Sequence, residues 1–362
     1  MSTPPDPGSI TPAWLTDTWQ ASGVLQQARV TAVAAQPLST EKGMTGQLFR
    51  VSLTYDSAEA EAPRSLIAKF SAPHPQARAV MHAMGFYERE ARFYEELAPR
   101  SRVGTPRCYF SSIDLATGDS LLLLEDLGAA RNGSSVTPCS VEEAELAVLG
   151  IAPFHAQWWG RPLEAEYPWL AMRGFTAHEM AQPVFLRAWE PFLGTLGMPI
   201  TDQLLEIGGW LSSHLGRVTA QLHQEGPATI VHNDYYADNL FFTGPDDPRA
   251  LVVADWQVAT MGRGVVDVAR FLAGSLAPAD RRAHERRLLD AYHALLVAKG
   301  VADYPFAQCW DDYRLATLLP LARIATAIGM TAQQGGPRGR PEEVVVTRYC
   351  AAITDLRVGE LL

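Results

Sequence analysis

Between Ile230 and Asp255 the chain places His232, Asp234, Asn239 and Asp255. Two short apolar β-type runs, Leu240–Phe242 and Leu251–Ala254, flank the segment Thr243-Gly-Pro-Asp-Asp-Pro-Arg249. Gly, Pro and Asp in that segment signal a turn, so the pattern predicts a hairpin. A hairpin brings its ends together: His232, Asp234 and Asn239 at one, Asp255 at the other. Two carboxylates and a carboxamide, all oxygen donors, then face one small volume. Mg²⁺ prefers hard oxygen ligands and takes only one or two carboxylates, with waters and phosphates completing its shell. Asn239 and Asp255 can supply that pair, which leaves Asp234 free to accept a proton from an alcohol. Phosphoryl transfer asks for little more than positioning, charge neutralisation and a carboxylate to orient the nucleophile.

Plainer readings exist for each residue alone. Asp and Asn are common in turns, and Asp234 or Asp238 could cap local backbone. A lone His232 reads as a core histidine satisfied by a carbonyl, and a structural part is expected for it. For the set, ordered spacing within a hairpin favours chemistry. The order His-x-Asp-x-x-x-x-Asn, followed by an apolar strand ending in Asp, resembles the catalytic and metal-binding pattern of the protein-kinase-like superfamily. It resembles the small-molecule branch: aminoglycoside phosphotransferases, choline kinases and ecdysteroid-kinase-like proteins. His-Asn-Asp in place of His-Gly-Asp is also found in choline kinases. Asp255-Trp-Gln257, in place of Asp-Phe-Gly, points away from protein kinases, and so does the short loop from Gln257 to Gly264. The resemblance implies ATP and Mg²⁺ as cofactors, Asp234 as catalytic base, and Asn239 and Asp255 as metal ligands.

Other elements must position these groups. Thr11-Pro12-Ala13-Trp14 reads as a helix N-cap with Pro in the first turn, and Pro-rich residues 1–11 are expected to be disordered. Strand-like runs follow at Ala28–Ala34, Leu48–Tyr55 and Ser65–Phe70. Between the first two lies Thr40-Glu-Lys-Gly-Met-Thr-Gly46. Gly43 and Gly46 could let backbone approach a phosphate, or could simply make a turn. The resemblance makes this the nucleotide-covering loop, and makes Lys69 the phosphate-contacting lysine. A strand lysine is otherwise most often a snorkelling surface residue. A helix over Arg78–Leu97 carries Val80, Met81, Met84, Tyr87, Ala91, Tyr94 and Leu97 at helical spacing and offers Glu90 as the partner of Lys69. Pro106–Ile113 and Ser120–Leu124 read as a further hairpin. The run into Glu125-Asp126-Leu127 resembles the interlobe hinge, where backbone from Glu125 to Leu127 would bind adenine.

Beyond the hinge the pattern is helical. Ser140-Val-Glu-Glu143 is a capping box opening a helix to about Trp159, with Leu146, Leu149, Ile151, Phe154 and Trp158 inward and His155 structural. Thr201–Glu225 gives another helix, with Leu205, Leu211, Leu215, Val218 and Leu222 inward. The intervening Arg161–Pro199 is rich in Pro, Trp and Phe, and suits either a substrate cover or an irregular packed connection. The resemblance gives Asp267 the task of bracing the catalytic loop from a helix start. Helices are expected over Asp280–Lys299, Trp310–Thr331 and Pro341–Val358. Trp310, Asp311 and Asp312 could line an acceptor pocket, or be caps and core.

The chain has 362 residues, 47% apolar and 19% charged, the profile of a globular protein with room for two lobes. Its formal net charge is −10 and it has no basic tract, which excludes the usual footprint of nucleic-acid binding. An acidic surface suits a cationic substrate only weakly as an argument. Cys108, Cys139, Cys309 and Cys350 are scattered, without metal or disulfide spacing, as a reducing cytoplasm allows. No signal peptide and no membrane-spanning run is read, and nothing fixes the oligomeric state. The expectation is an α+β, bilobal, protein-kinase-like fold: a sheet-rich nucleotide lobe over 1–127 and a helical catalytic lobe over 128–362. The activity implied is an ATP-dependent phosphotransferase acting on a hydroxyl of a small molecule (an aminoglycoside or other antibiotic, an amino alcohol, a sterol-like or a sugar alcohol), with a protein kinase or a nucleotide-binding pseudoenzyme or scaffold as alternatives.

Overall fold

In a computed structural model, residues 4–38, 46–244, 247–332 and 343–362 are described. They divide into two compact units, Met1–Ser101 with Thr105–Ala129, and Arg102–Gly104 with Ala130–Leu362. The architecture is α+β.

Residues 4–10, within the stretch expected to be disordered, are ordered. Asp6 caps a 3₁₀ turn at Pro7–Ser9 and Ile10 is buried, so apolar anchoring outweighs the Pro-rich composition. Helix α1, Pro12–Ser22, starts where the Thr11 hydroxyl accepts the N–H of Trp14. An antiparallel sheet follows, from β1 (Val30–Pro37), β2 (Gly46–Tyr55) and β3 (Ser65–Ser71). Next come helices α2 (Pro75–Ala83) and α3 (Phe86–Arg92), then β4 (Cys108–Ile113) and β5 (Ser120–Glu125). The strand order is β1-β2-β3-β5-β4. Strand alternation sends Leu66, Ala68 and Phe70 of β3 into a core with Leu15, Trp19, Val51 and Leu121. Lys69 therefore points to the other face. The single helix expected over Arg78–Leu97 is broken instead. Gly85 takes a left-handed φ of 75° between α2 and α3, and the last turn, Phe93–Leu97, is a π-helix.

In the second unit β6 (Arg131–Asn132) precedes α4 (Val141–Trp158), α5 (Leu163–Glu166), α6 (Ala181–Leu193) and α7 (Asp202–His223). The Ser140–Glu143 capping box forms in full. The inward face of α4 is Ala144, Ala147, Val148, Ile151, Phe154 and Trp158; Leu146 is exposed, contrary to expectation. On α7 Leu204 and Ile207 turn inward and Leu205 outward. Both errors arise from reading the apolar stripe too wide, since single apolar residues sit on surfaces freely. Residues 161–199 pack through Phe185, Trp189 and Phe192 of α6, the residues of a packed connection.

Four three-residue strands carry the hairpin: β7 (Thr229–Val231), β8 (Leu240–Phe242), β9 (Leu251–Val253) and β10 (Thr260–Gly262). β8 pairs with β9, with Leu240 opposite Val253, and β10 pairs with β7. Helices α8 (Val265–Ser275), α9 (Pro278–Ala298), α10 (Phe306–Ala316), α11 (Leu318–Ala332) and α12 (Glu343–Asp355) complete the unit. The helix expected over Trp310–Thr331 is thus two, broken at Thr317. By length and composition alone the stretch Phe306–Ala332 could cross a membrane, and 61% of its apolar window is buried inside the structure. Its apolar character is explained by packing of α11 on α6 and α8.

Candidate active site

Asp267 organises the loop between β7 and β8. It sits in the first turn of α8, wholly buried. Its Oδ2 accepts the backbone N–H of His232 at 2.7 Å, and its Oδ1 that of Asn233 at 2.7 Å. Oδ2 also accepts from Nε2 of His155 at 3.1 Å, so Nδ1 of His155 accepts the Tyr292 hydroxyl at 2.8 Å. Burial alone would raise the pKa of Asp267. The bond and charge of His155, with His232 and the Asn233 N–H, outweigh it and hold the carboxyl below its usual range. The braced loop contains Asn233 at a φ of 67°, a conformation Asn tolerates better than most residues.

His232 ties the two ends of the hairpin. The N–H of Asp234 donates to its Nδ1 at 3.2 Å, which leaves the proton on Nε2, and Nε2 donates to the carbonyl of Ala254 at 2.9 Å. The N–H of Ala254 donates in turn to the carbonyl of Asn239 at 3.0 Å. Asp255 follows directly, at a φ of 65°. A non-glycine residue in that region, held by bonds on both sides, is the kind of local strain found at functional sites. Its Oδ2 accepts from Nε2 of Gln257 at 3.4 Å. Trp256 turns inward against Phe154 and His232 and donates to the carbonyl of Val253.

Asn239 reaches back to Asp234. Its Nδ2 donates to the carbonyl of Asp234 at 2.9 Å and to its Oδ2 at 3.3 Å. With the amide nitrogen so engaged, Oδ1 remains an acceptor, as a metal ligand must be. Among the described residues no cluster of three His, Cys, Asp or Glu could hold a metal. A site of one carboxylate and one carboxamide oxygen suits only a hard cation that keeps waters or phosphates, and the donor set therefore fits Mg²⁺. Asp238 faces elsewhere: its Oδ1 accepts the N–H of Ser135 at 2.7 Å.

Two arginines were missed from the sequence. Nη2 of Arg270 donates to Oδ1 of Asp234, and its guanidinium lies 4.8 Å from the ring centroid of Tyr236. Arg323 donates to both the carbonyl and Oδ1 of Asn233. Asp234 is therefore not without a partner. Its side chain is 23% exposed and ion-paired with Arg270, itself 12% exposed. The pKa of Arg270 is raised: burial lowers it, and the charge of Asp234 with Tyr349 and Tyr236 overcomes that. Arg323 moves the other way, pulled down to about 10 by burial and by the charge of Arg270. Signals for both existed. Arg270 lies one helical turn past Asp267, on the same side of α8, and Arg323 is the lone cation of an apolar helix.

In the first unit Lys69 and Glu90 form a pair, with Nζ 2.8 Å from Oε1 and 2.7 Å from Oε2. Glu90 is buried, and α3 brings it to the sheet face opposite the core. Gly46 begins β2, where a Cβ would lie 2.5 Å from the carbonyl oxygen of Phe70, so close strand approach accounts for this glycine. Gly43 and the rest of 39–45 lie outside the described residues. Glu125 ends β5 and accepts the N–H of Arg107 at 3.0 Å. Asp126 pairs with Arg50 at 2.8 Å, and Leu127 is buried. Of the residues considered for an acceptor pocket, Asp312 is buried, accepts the Tyr304 hydroxyl at 2.9 Å and belongs to the core.

The chain is similar to several known proteins. A model of the ecdysteroid kinase-like family matches residues 40–158. A second, described as "Uncharacterized oxidoreductase dhs-27", matches residues 226–344. Acyl-CoA dehydrogenase family member 10 of Mus musculus is 35% identical over 75 residues, 21% of this chain and 6% of that protein. The chain thus matches a small part of that curated relative. A putative aminoglycoside phosphotransferase from Ralstonia eutropha JMP134 superposes with a TM-score of 0.56 at 17% identity, covering 96% of this chain and 98% of that one. A choline kinase from Cryptosporidium parvum Iowa II gives 0.57 at 10% identity, over 91% of each chain. The GDP complex of a wild-type aminoglycoside 2′-phosphotransferase gives 0.51 at 9% identity, over 97% of this chain and 99% of that one. The chain shares the kinase-like fold of these solved structures, and the likeness extends over both units.

Proposed function

We propose that this chain transfers the γ-phosphoryl group of ATP to a hydroxyl of a small molecule. The observation that carries the reading is the hairpin in which Asn239 commits its amide nitrogen to Asp234 and keeps its oxygen free, one backbone hydrogen bond from Asp255. A chain with the fold of small-molecule phosphotransferases supports it.

The hydroxyl oxygen attacks the γ-phosphorus, the bond to the bridging β–γ oxygen breaks, and ADP leaves. Asp234 orients the hydroxyl and takes its proton. Oδ1 is held by Arg270, so Oδ2, only distantly bonded to Asn239, is the oxygen with acceptor capacity to spare. Asn239 and Asp255 would hold Mg²⁺, which when bound neutralises phosphate charge. Lys69, braced by Glu90, offers its ammonium to nucleotide phosphates, and backbone from Glu125 to Leu127 offers donors and acceptors to adenine. The reaction is assigned to the cytoplasm, with a small hydroxyl compound and no nucleic acid as partner.

The test is incubation with ATP, Mg²⁺ and a library of alcohols, read by mass spectrometry. Gain of one phosphate on a small molecule, lost in Asp234→Asn, is the expected result. Phosphate on protein substrates alone would favour a protein kinase. Nucleotide binding without transfer to any acceptor would favour a pseudoenzyme.

A further inference from the structure

Among the described residues Arg323 bonds to no carboxylate. Both its acceptors, the carbonyl and Oδ1 of Asn233, are neutral. The two carboxylates nearby are engaged elsewhere. Asp234 gives Oδ1 to Arg270, and Asp267 spends both oxygens on His232, Asn233 and His155. Arg270 in turn uses one N–H on Asp234, and its buried Nε has no hydrogen-bond partner among the described residues. An arginine carries five N–H donors. The pair therefore keeps donors in reserve beside the proposed proton acceptor. Neither side chain is sealed: Arg270 is 12% exposed, and Arg323 is only partly buried. His178 and His223, stacked 4.7 Å apart, also press positive character on this corner when protonated, and burial holds both toward the neutral form.

A largely buried charge without a partner is costly, and the cost is relieved when an anion arrives. A cationic acceptor would meet two guanidiniums, and of the Asp234 carboxylate only Oδ2, the oxygen assigned to the hydroxyl proton. The net charge of −10 over the whole chain does not change this, because recognition at a half-buried site follows the groups within a few ångströms.

Building on the phosphotransferase reading, we infer that the acceptor is an anionic alcohol, whose carboxylate or phosphate is held by Arg323 and Arg270 while its hydroxyl meets Asp234. Planar guanidinium donors match both anions in bidentate geometry. The preference comes from this chain's own α8 and α11, and it runs against choline-like or aminoglycoside-like acceptors.

The experiment compares four probes on one carbon skeleton: an ω-hydroxy acid, a hydroxyalkyl phosphate, the hydroxy amide and the amino alcohol. MgATP turnover is measured for each in wild type, Arg323→Gln and Arg323→Lys, and binding is measured by calorimetry without nucleotide. One anionic probe is expected to exceed the amide in kcat/KM by about 10- to 100-fold, the range of a charged hydrogen bond. Arg323→Gln should erase that ratio mainly through KM, and Arg323→Lys should restore part of it. The ratio is taken within one variant, so a general fault in folding cancels. The acid and the phosphate arms tell the two anions apart. Amide or amino alcohol equal to or better than both anions overturns the inference. If no probe is phosphorylated yet an anion binds in wild type and not in Arg323→Gln, the phosphotransferase reading fails and the anion site stands. If no anion binds and none is turned over, the anion site fails too.

Discussion

Oδ1 of Asp234 accepts from Nη2 of Arg270, so the proposed proton acceptor and a partly buried cation share one bond. The pairing couples chemistry to stability at this residue. Asp234→Asn keeps the volume and removes the charge, and loss of a general base costs about 10²–10⁴-fold in rate. It also leaves Arg270 facing a neutral amide, with a stability loss of about 1–3 kcal/mol. Turnover and urea denaturation measure both. MgATP affinity should stay within a few fold, since binding common to ground and transition states is untouched. Unchanged turnover would remove Asp234 from the chemistry.

Asp255→Asn tests the metal assignment. Asn tolerates the φ of 65° that this position requires, so the backbone can stay as it is. Only a charged ligand is lost. Turnover should fall by at least about 100-fold, with Mg²⁺-dependent nucleotide binding weakened and nucleotide binding in EDTA unaffected. Near wild-type turnover at ordinary Mg²⁺ would return Asp255 to a structural part.

Lys69 and Glu90 are largely buried and in contact, so their substitutions cannot act independently. Lys69→Ala is expected to impair ATP use more than Glu90→Ala. The double variant should resemble Lys69→Ala, with a coupling of about 0.5–3 kcal/mol in kcat/KM for ATP. Strict additivity in that cycle counts against a shared task.

Much of this site was legible because it is local. The hairpin motif spans 26 positions, and its turn residues, apolar runs and spaced oxygens can be read without tertiary knowledge. What escaped notice is non-local. Arg270 meets Asp234 across 36 positions, and Arg323 meets Asn233 across 90. No periodicity links residues so far apart. Helix existence was read well and helix faces less so. Leu146 and Leu205 look inward on sequence yet face solvent, because their neighbours Ala147 and Leu204 take the core positions. The break at Gly85 was visible as a glycine, and that at Thr317 as Pro320 three residues on, which cannot donate to the carbonyl of Ala316 and so ends the first helix before it.

Asp267→Asn should show how far the loop depends on one carboxylate. Asn offers one carbonyl oxygen and an NH₂ group where three N–H donors converge, so one donor meets another. We expect a loss of about 3 kcal/mol, since a buried charge network is broken on one side. The urea midpoint should fall with an unchanged m-value. A midpoint equal to wild type would mean that the catalytic loop is held by other contacts.

His223 makes the stability of the second unit sensitive to mild acid. The residue is 6% exposed, and its Nδ1 donates to the carbonyl of Met261 at 3.1 Å. Burial, then the charges of His178 and Arg323, depress its pKa from 6.5 to about 3. The folded state thus refuses a proton that the unfolded chain accepts. Stability is whole above pH 6.5 and is lost progressively as pH falls toward 3, the direction linkage requires when the unfolded state binds more protons. Between pH 7 and pH 5 this one group removes about 2 kcal/mol. His223→Asn can keep a donor near the Met261 carbonyl and cannot titrate. Its stability at pH 7 should be lower than wild type through lost packing, while its decline from pH 7 to pH 5 should be shallower by that amount. Asp267, whose carboxyl lies below its usual range, adds its own loss only beneath the ordinary carboxylate range and does not enter this window. Denaturant midpoints across that range decide the matter: a slope identical in wild type and His223→Asn would show that the His178–His223 stack is protonated, or open to water, at neutral pH.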